Sequence, residues 1–147
     1  MELIAKAFIQ INKPITTVFN AITKKEHITQ YFIGNSDGDM EEGKTLQWEF
    51  ADFPGAFPVT ILKVIPHQEL QFTWEKDTTV KITFEAQTPT DTVVNIIEGS
   101  RQLNEENLDW VVSSTGGWTN FLACLKAYME YNINLRKGAF DYLNCDS

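Results

Sequence analysis

The stretch Thr115-Gly-Gly-Trp-Thr-Asn-Phe-Leu-Ala-Cys-Leu-Lys-Ala-Tyr-Met-Glu-Tyr-Asn132 governs how the rest of the chain is read. At about 100° per residue, Trp118, Leu122, Leu125, Met129 and Asn132 fall within about 40° of one line. Phe121 and Tyr128 lie on one flank of that line and Ile133 on the other, while Asn120, Ala123, Lys126, Ala127, Glu130 and Asn134 occupy the opposite side. This spacing predicts one long amphipathic helix that opens on Gly116-Gly117. Such a helix needs a broad apolar surface to lie against. The glycine pair is expected either to let the helix pass close to that surface or to bend its first turn.

The residues before the helix supply the surface. Leu3, Ala5, Ala7, Ile9 and Ile11 share one face of a strand over residues 2–11. Pro14 then suits the first turn of a short helix whose buried stripe is Ile15, Val18, Phe19 and Ile22. Thr23-Lys-Lys-Glu26 fits a capping box, so a second helix is expected from Thr23 to about Tyr31. After an acidic loop from Asn35 to Gly43, apolar and polar residues alternate with little interruption. Leu46, Trp48 and Phe50 form one inward set, followed by Leu70, Phe72 and Trp74, then Val80, Ile82 and Phe84, then Val94 and Ile96. Residues 57–65 are apolar in both phases, which leaves their register open and allows a bulge. Turns are expected at Pro66-His67-Gln68 and at Thr88-Pro-Thr-Asp91. Alternation of this kind belongs to an antiparallel sheet with one wet face and one covered face. The order β, α, α, a run of β and a long α predicts an α+β fold: a curved antiparallel sheet gripping one helix, as a single domain over 1–147.

Composition removes several functions. The formal net charge of -8 disfavours nucleic acid and anionic membrane surfaces alike. No apolar run approaches the ~20 residues of a membrane span, and Met1 leads directly into a strand-like stretch, so no signal region and a cytoplasmic location are expected. Cys124 and Cys145 match no metal or redox spacing and read as free thiols. Eighteen aromatic residues (ten Phe, four Trp, four Tyr) promise a substantial core without metal or disulfide.

Chemical motifs are weak. Counted from Asp37 as a calcium loop, position six is Glu42 and position twelve is Trp48, where glycine and glutamate are required. The segment therefore reads as a solvated acidic loop, and no metal is expected. There is no Gly-x-Ser-x-Gly elbow, and His27 and His67 both read as surface residues. Gly116-Gly117 lacks the Lys-Ser/Thr of a phosphate loop. No catalytic residue and no cofactor are assigned. Glu98 is the one charged residue in question. Counting by twos from Val94 and Ile96 puts it inward, where a carboxylate must be paired, hydrated or protonated, and Arg101 is the nearby candidate partner. The plainer reading, preferred on sequence alone, ends the strand at Ile97 and turns Glu98 to water. Asn132 on the helix line raises the same question more mildly.

The element order resembles the helix-grip superfamily of START domains, polyketide cyclases and the birch-pollen allergen. Within it the chain resembles the family related to the activator of heat shock protein ATPase. The resemblance is carried by Ile11-Asn-Lys-Pro14 through Val18-Phe19, by Ile65-Pro66 leading to Leu70-Gln-Phe-Thr-Trp74, and by Gly117-Trp118 with Leu122 and Leu125 behind it. It implies a cavity between sheet and helix but no reaction. The eukaryotic namesake carries a further N-terminal domain that contributes to chaperone stimulation, and 147 residues leave no room for one, which weakens a co-chaperone role.

Trp48, Phe50, Phe57, Phe72, Trp74, Phe84, Ile96, Glu98, Trp118, Leu122 and Asn132 are accordingly the candidate ligand-binding residues, for a small hydrophobic or amphipathic molecule. The same aromatic set, with Trp110, would equally fill a solid core. The alternative functions are an interaction protein acting on a chaperone through its surface, and a cyclase- or hydrolase-type enzyme with Glu98 as acid or base.

Overall fold

The computed structural model describes residues 1–75 and 78–144. Strand β1 (Glu2–Ile11) is followed by helices α1 (Ile15–Thr23) and α2 (Lys25–Ile28). Six strands come next: β2 (Asn35–Ser36), β3 (Thr45–Glu49), β4 (Ala56–Ile65), β5 (Glu69–Thr73), β6 (Thr79–Thr88) and β7 (Asp91–Gln102). Helix α3 (Glu105–Tyr131) and a 3-10 turn (Asp141–Asn144) complete the described chain. The strands form one antiparallel sheet in the order β1-β7-β6-β5-β4-β3-β2. The α+β helix-grip arrangement is thus the one present, with α3 lying against β1 and β7.

The expected alternation sets the inward face. Ala5, Ala7 and Ile11 of β1 are buried, as are Leu46 and Trp48, Val59 and Ile61, Leu70 and Phe72, Val80, Ile82 and Phe84, and Val94 and Ile96. The two-phase apolar stretch does carry an irregularity, a register shift between Ile61 and Lys63. The small Ala5 and Ala7 leave room for α3 to settle against β1. At one end of the interface α1 closes the core, with Phe19 edge-on to Phe84 at 5.2 Å. Tyr31 lies stacked on Tyr128 at 5.1 Å and donates its hydroxyl hydrogen to Ala21 O at 2.8 Å.

Four local expectations are corrected. Helix α3 begins at Glu105, not at the glycine pair, because the Asn104 side chain accepts from the Asn107 N–H at 2.8 Å and caps it. Gly116 and Gly117 therefore lie inside the helix, and a Cβ on either would meet open space, so neither serves a close approach to the sheet. No capping box forms at Thr23, which ends α1 and donates its hydroxyl to Phe19 O. The Lys25 N–H is instead taken by Asp39 Oδ1 at 2.8 Å, and α2 is four residues long. The acidic loop is exposed at Asp37, Glu41 and Glu42, as expected, while its carboxylates also hold neighbouring strands and a lysine. Asp37 accepts from the Gln47 N–H and Glu42 from the Val64 N–H, while Glu41 pairs with Lys44. His67 is exposed as expected, but His27 is half-buried, with Nδ1 2.8 Å from the Tyr128 hydroxyl. Cys124 is a buried free thiol; burial pushes its pKa up, partly opposed by the charge of Arg136. Cys145 lies outside the described residues.

Candidate functional site

Strand β7 does not stop at Ile97. It continues to Gln102, so Glu98 keeps the inward phase of Val94 and Ile96 and is 1% exposed. The water-facing reading is overturned. In the sheet Glu98 sits between Ala5 of β1 and Val80 of β6, both small enough to leave its carboxylate room to extend toward α3.

Three donors hold that carboxylate. The Trp118 indole N–H donates to Oε1 at 2.9 Å, and the Trp74 indole N–H donates to Oε2 at 3.0 Å. The Thr78 hydroxyl donates to Oε2 at 3.2 Å. An indole N–H can only donate, so both carboxylate oxygens act as acceptors. The two indoles come from opposite layers, Trp74 from just beyond β5 and Trp118 from α3, and they stack at 5.1 Å with 27° between their planes. Glu98 thus ties the helix to the sheet through two aromatic rings. Arg101, its expected partner, turns elsewhere: its guanidinium pairs with Glu75 at 2.5 Å and lies 4.3 Å from the centre of the Trp110 ring.

Beside this clamp the interface opens to solvent in a cavity of about 320 Å³. Trp74, Glu98, Gly117 and Trp118 form its inner part, and Trp110, Ser113, Ser114 and Asn120 of α3 line one side. Phe32, Phe50, Arg136 and Phe140 line the other. The Arg136 guanidinium is 5.0 Å from the Phe50 ring and 4.7 Å from the Phe140 ring, and it pairs with Asp52 at 3.1 Å. The segment after α3 therefore folds back over the mouth. A larger hollow of about 590 Å³ lies on the other side of Arg136, between the segment that follows α2 and this returning segment. It reaches none of the inward residues of the seven strands, but the buried Tyr31, Phe32 and Ile33 line it, and it shares Phe32 and Arg136 with the mouth.

Of the eleven candidate residues, Phe50, Trp74, Glu98 and Trp118 line the mouth together. Trp48, Phe72, Ile96 and Leu122 are almost wholly enclosed and pack against one another or their neighbours, as in a filled core. Phe57 stacks on Phe50 at 5.5 Å behind the mouth. Phe84 lies at the far end against Phe19. Asn132 does not face the sheet: it is the exposed left-handed C-cap of α3, at φ 53° and ψ 44°, where the helical line is broken. Phe32, Glu75, Trp110, Ser113, Ser114, Gly117, Asn120, Arg136 and Phe140 line the mouth without having been among the candidates. Phe32, Arg136 and Phe140 lie outside both the alternating strands and the long helix, so no periodic signal marks them.

No curated protein sequence matches the chain. Solved structures do. A protein from Staphylococcus saprophyticus, SSP2350, is 28% identical and superposes with a TM-score of 0.80, over 92% of this chain and 96% of that one. The Aha1 dimer protein from Colwellia psychrerythraea is 17% identical with a TM-score of 0.75, over 88% of this chain and 97% of that one. DynU16, a putative protein in the dynemicin biosynthetic locus, is 19% identical with a TM-score of 0.78, over 89% of this chain and 48% of that one. At these identities the second and third show the fold alone. The sequence model of the Activator of Hsp90 ATPase homolog 1-like proteins matches residues 12–130, from the end of β1 to the last turn of α3, and the chain belongs to that family.

Proposed function

We propose that this protein binds a small amphipathic molecule at the mouth between sheet and helix, its apolar body against Trp74 and Trp118. The observation that carries this reading is the 320 Å³ opening in which aromatic walls converge on one buried carboxylate. Ligand sites combine mostly apolar lining with a few placed polar groups, and volumes from about 300 Å³ upward are typical. The mouth has both features, whereas the deeper interface around Trp48 and Phe72 is filled. Glu98 already accepts three hydrogen bonds, which suits an anchor of fixed position better than a general acid or base that must exchange a proton.

Native mass spectrometry of the purified protein beside its denatured mass tests the reading. A retained small-molecule mass is expected, and it should be absent from Gly117→Leu, at a lining position where an added Cβ would meet nothing within 4 Å. Retention of the same mass by Gly117→Leu would place the ligand elsewhere.

A further inference from the structure

We infer that the ligand of this mouth is an organic cation, a protonated amine or quaternary ammonium on an apolar body. The inference rests on the binding site proposed above and specifies its chemistry.

The other largely enclosed acids of this chain hold cations. Asp52, Glu69 and Glu130 have side chains 13%, 16% and 10% exposed, and each holds a cation. Asp52 pairs with Arg136, Glu69 with Lys63 and Lys81, and Glu130 with Lys126. Glu98 is more enclosed than any of them. Among the described residues its partners are two indoles and a hydroxyl, all neutral. Burying a carboxylate without a counter-charge is costly, and neutral donors offset that cost only in part. A carboxylate offers about four acceptor positions. Three are taken here, two of them on Oε2, so Oε1 keeps room for one more donor.

The surroundings agree on the sign. Around the mouth, Glu75 is matched by Arg101 and Asp52 by Arg136, so among the described residues Glu98 is the acid with no cation beside it, within a protein of net charge -8. The walls already hold cations. Arg136 lies over Phe32, Phe50 and Phe140, and Arg101 lies over Trp110. Among the described residues, Trp74 and Trp118 are the lining rings with no cation over them, and they are the two bound to Glu98. An aromatic wall attracts positive charge through the negative face of each ring, most strongly for tryptophan. An anion or a neutral acceptor would meet Glu98 with nothing to gain from it.

Three probes of matched shape decide the matter: 3-phenylpropylamine, 3-phenyl-1-propanol and 3-phenylpropionate. Each is titrated into the protein while the indole N–H resonances are followed by NMR, with Trp74 and Trp118 assigned by single Trp→Phe substitutions. The amine is expected to shift both resonances and to bind about tenfold tighter than the alcohol, with the carboxylate weakest. Glu98→Gln should bring amine and alcohol level. Because that variant disturbs the indole clamp, Gly117→Leu serves as the independent check: it should remain folded and lose the amine. Alcohol binding as tightly as amine, or carboxylate binding tightest, would sink the cation assignment and leave a ligand site of different chemistry. No response of either indole to any of the three would remove the mouth as a binding site, and the assignment with it.

Discussion

The two halves of α3 are of similar length and are held by different forces. From Trp118 onward the helix buries Trp118, Phe121, Leu122, Cys124 and Leu125 against the sheet. From Glu105 to Gly117 it buries no side chain fully, and Leu108 and Val112 are 45% and 71% exposed. The first half is held by its Asn104 cap, by the acidic Glu105 and Glu106 in its first turn, and by continuity with the second. It also forms one wall of the mouth, through Trp110, Ser113, Ser114 and Gly117. Packing fixes the second half, so the first can stand off the sheet and leave a cavity. Regions with few buried apolar contacts are those that open locally at least cost, and the proposed ligand entrance lies in such a region.

The largest test of this contrast compares two tryptophans on the same helix. Trp118→Ala removes a buried indole and strips Glu98 Oε1 of its donor, and a loss of about 3–5 kcal/mol in urea unfolding is expected. Trp110 is half-buried, and its contacts are with Arg101 and the mouth. Trp110→Ala should cost less than half as much, about 1–2 kcal/mol. Equal losses would mean that the first half of α3 is packed as firmly as the second.

A smaller effect concerns the far end of the second half. Glu130 accepts from the Asn12 N–H at 3.0 Å and pairs with Lys126, fastening the helix end to the corner after β1. Burial pushes its carboxyl pKa up, but the bonds from Lys126 and Asn12 outweigh this and hold it below the ordinary value. The sign follows. A lowered folded-state pKa stabilises the fold fully above the ordinary glutamate value, and that contribution disappears as the pH falls through the lowered one. Glu130→Gln should therefore be less stable by about 1 kcal/mol at neutral pH, and its deficit should close in acid. A deficit that persisted unchanged at low pH would show that shape rather than charge matters at this corner.

The same contrast explains what the sequence disclosed. The second half of α3 and the inward sets of the sheet are legible because burial is periodic: every second residue in β5 and β6, and a stripe from Trp118 in the helix. Glu98 followed from that counting, yet its burial depended on whether β7 ran beyond Ile97, and a lone carboxylate offers no periodicity to decide it. The first half of α3 was missed because its faces differ little in burial; Asn104 followed by two glutamates was the available signal, a cap rather than a stripe. Thr23 misled for a related reason: α1 runs through it, so the cap position of α2 falls on Lys24, and Asp39, sixteen residues on from Thr23, accepts from the Lys25 N–H instead. Phe32, Arg136 and Phe140 meet at the mouth through chain return alone, which local pattern does not encode. Asn132 kept the angular position of the helix line, but the helix had ended.

The smallest effect bears most directly on the junction between the halves. Glycine inside a helix costs roughly 0.5–1 kcal/mol relative to alanine, because more backbone freedom is lost on folding. Two adjacent glycines double that cost, and here no close approach requires them, since a Cβ at either position would meet nothing within 4 Å. Gly116→Ala and Gly117→Ala should therefore each raise stability by about 0.5–1 kcal/mol, read as a higher unfolding midpoint. If the glycines serve the mouth, the gain should come with a loss of function at Gly117, which lines the cavity, and with less at Gly116, which does not. Stabilisation at both positions with equal retention of ligand would reduce the pair to a tolerated weakness. Destabilisation at either would mean that the first half of α3 moves toward the sheet in a way its resting position does not display.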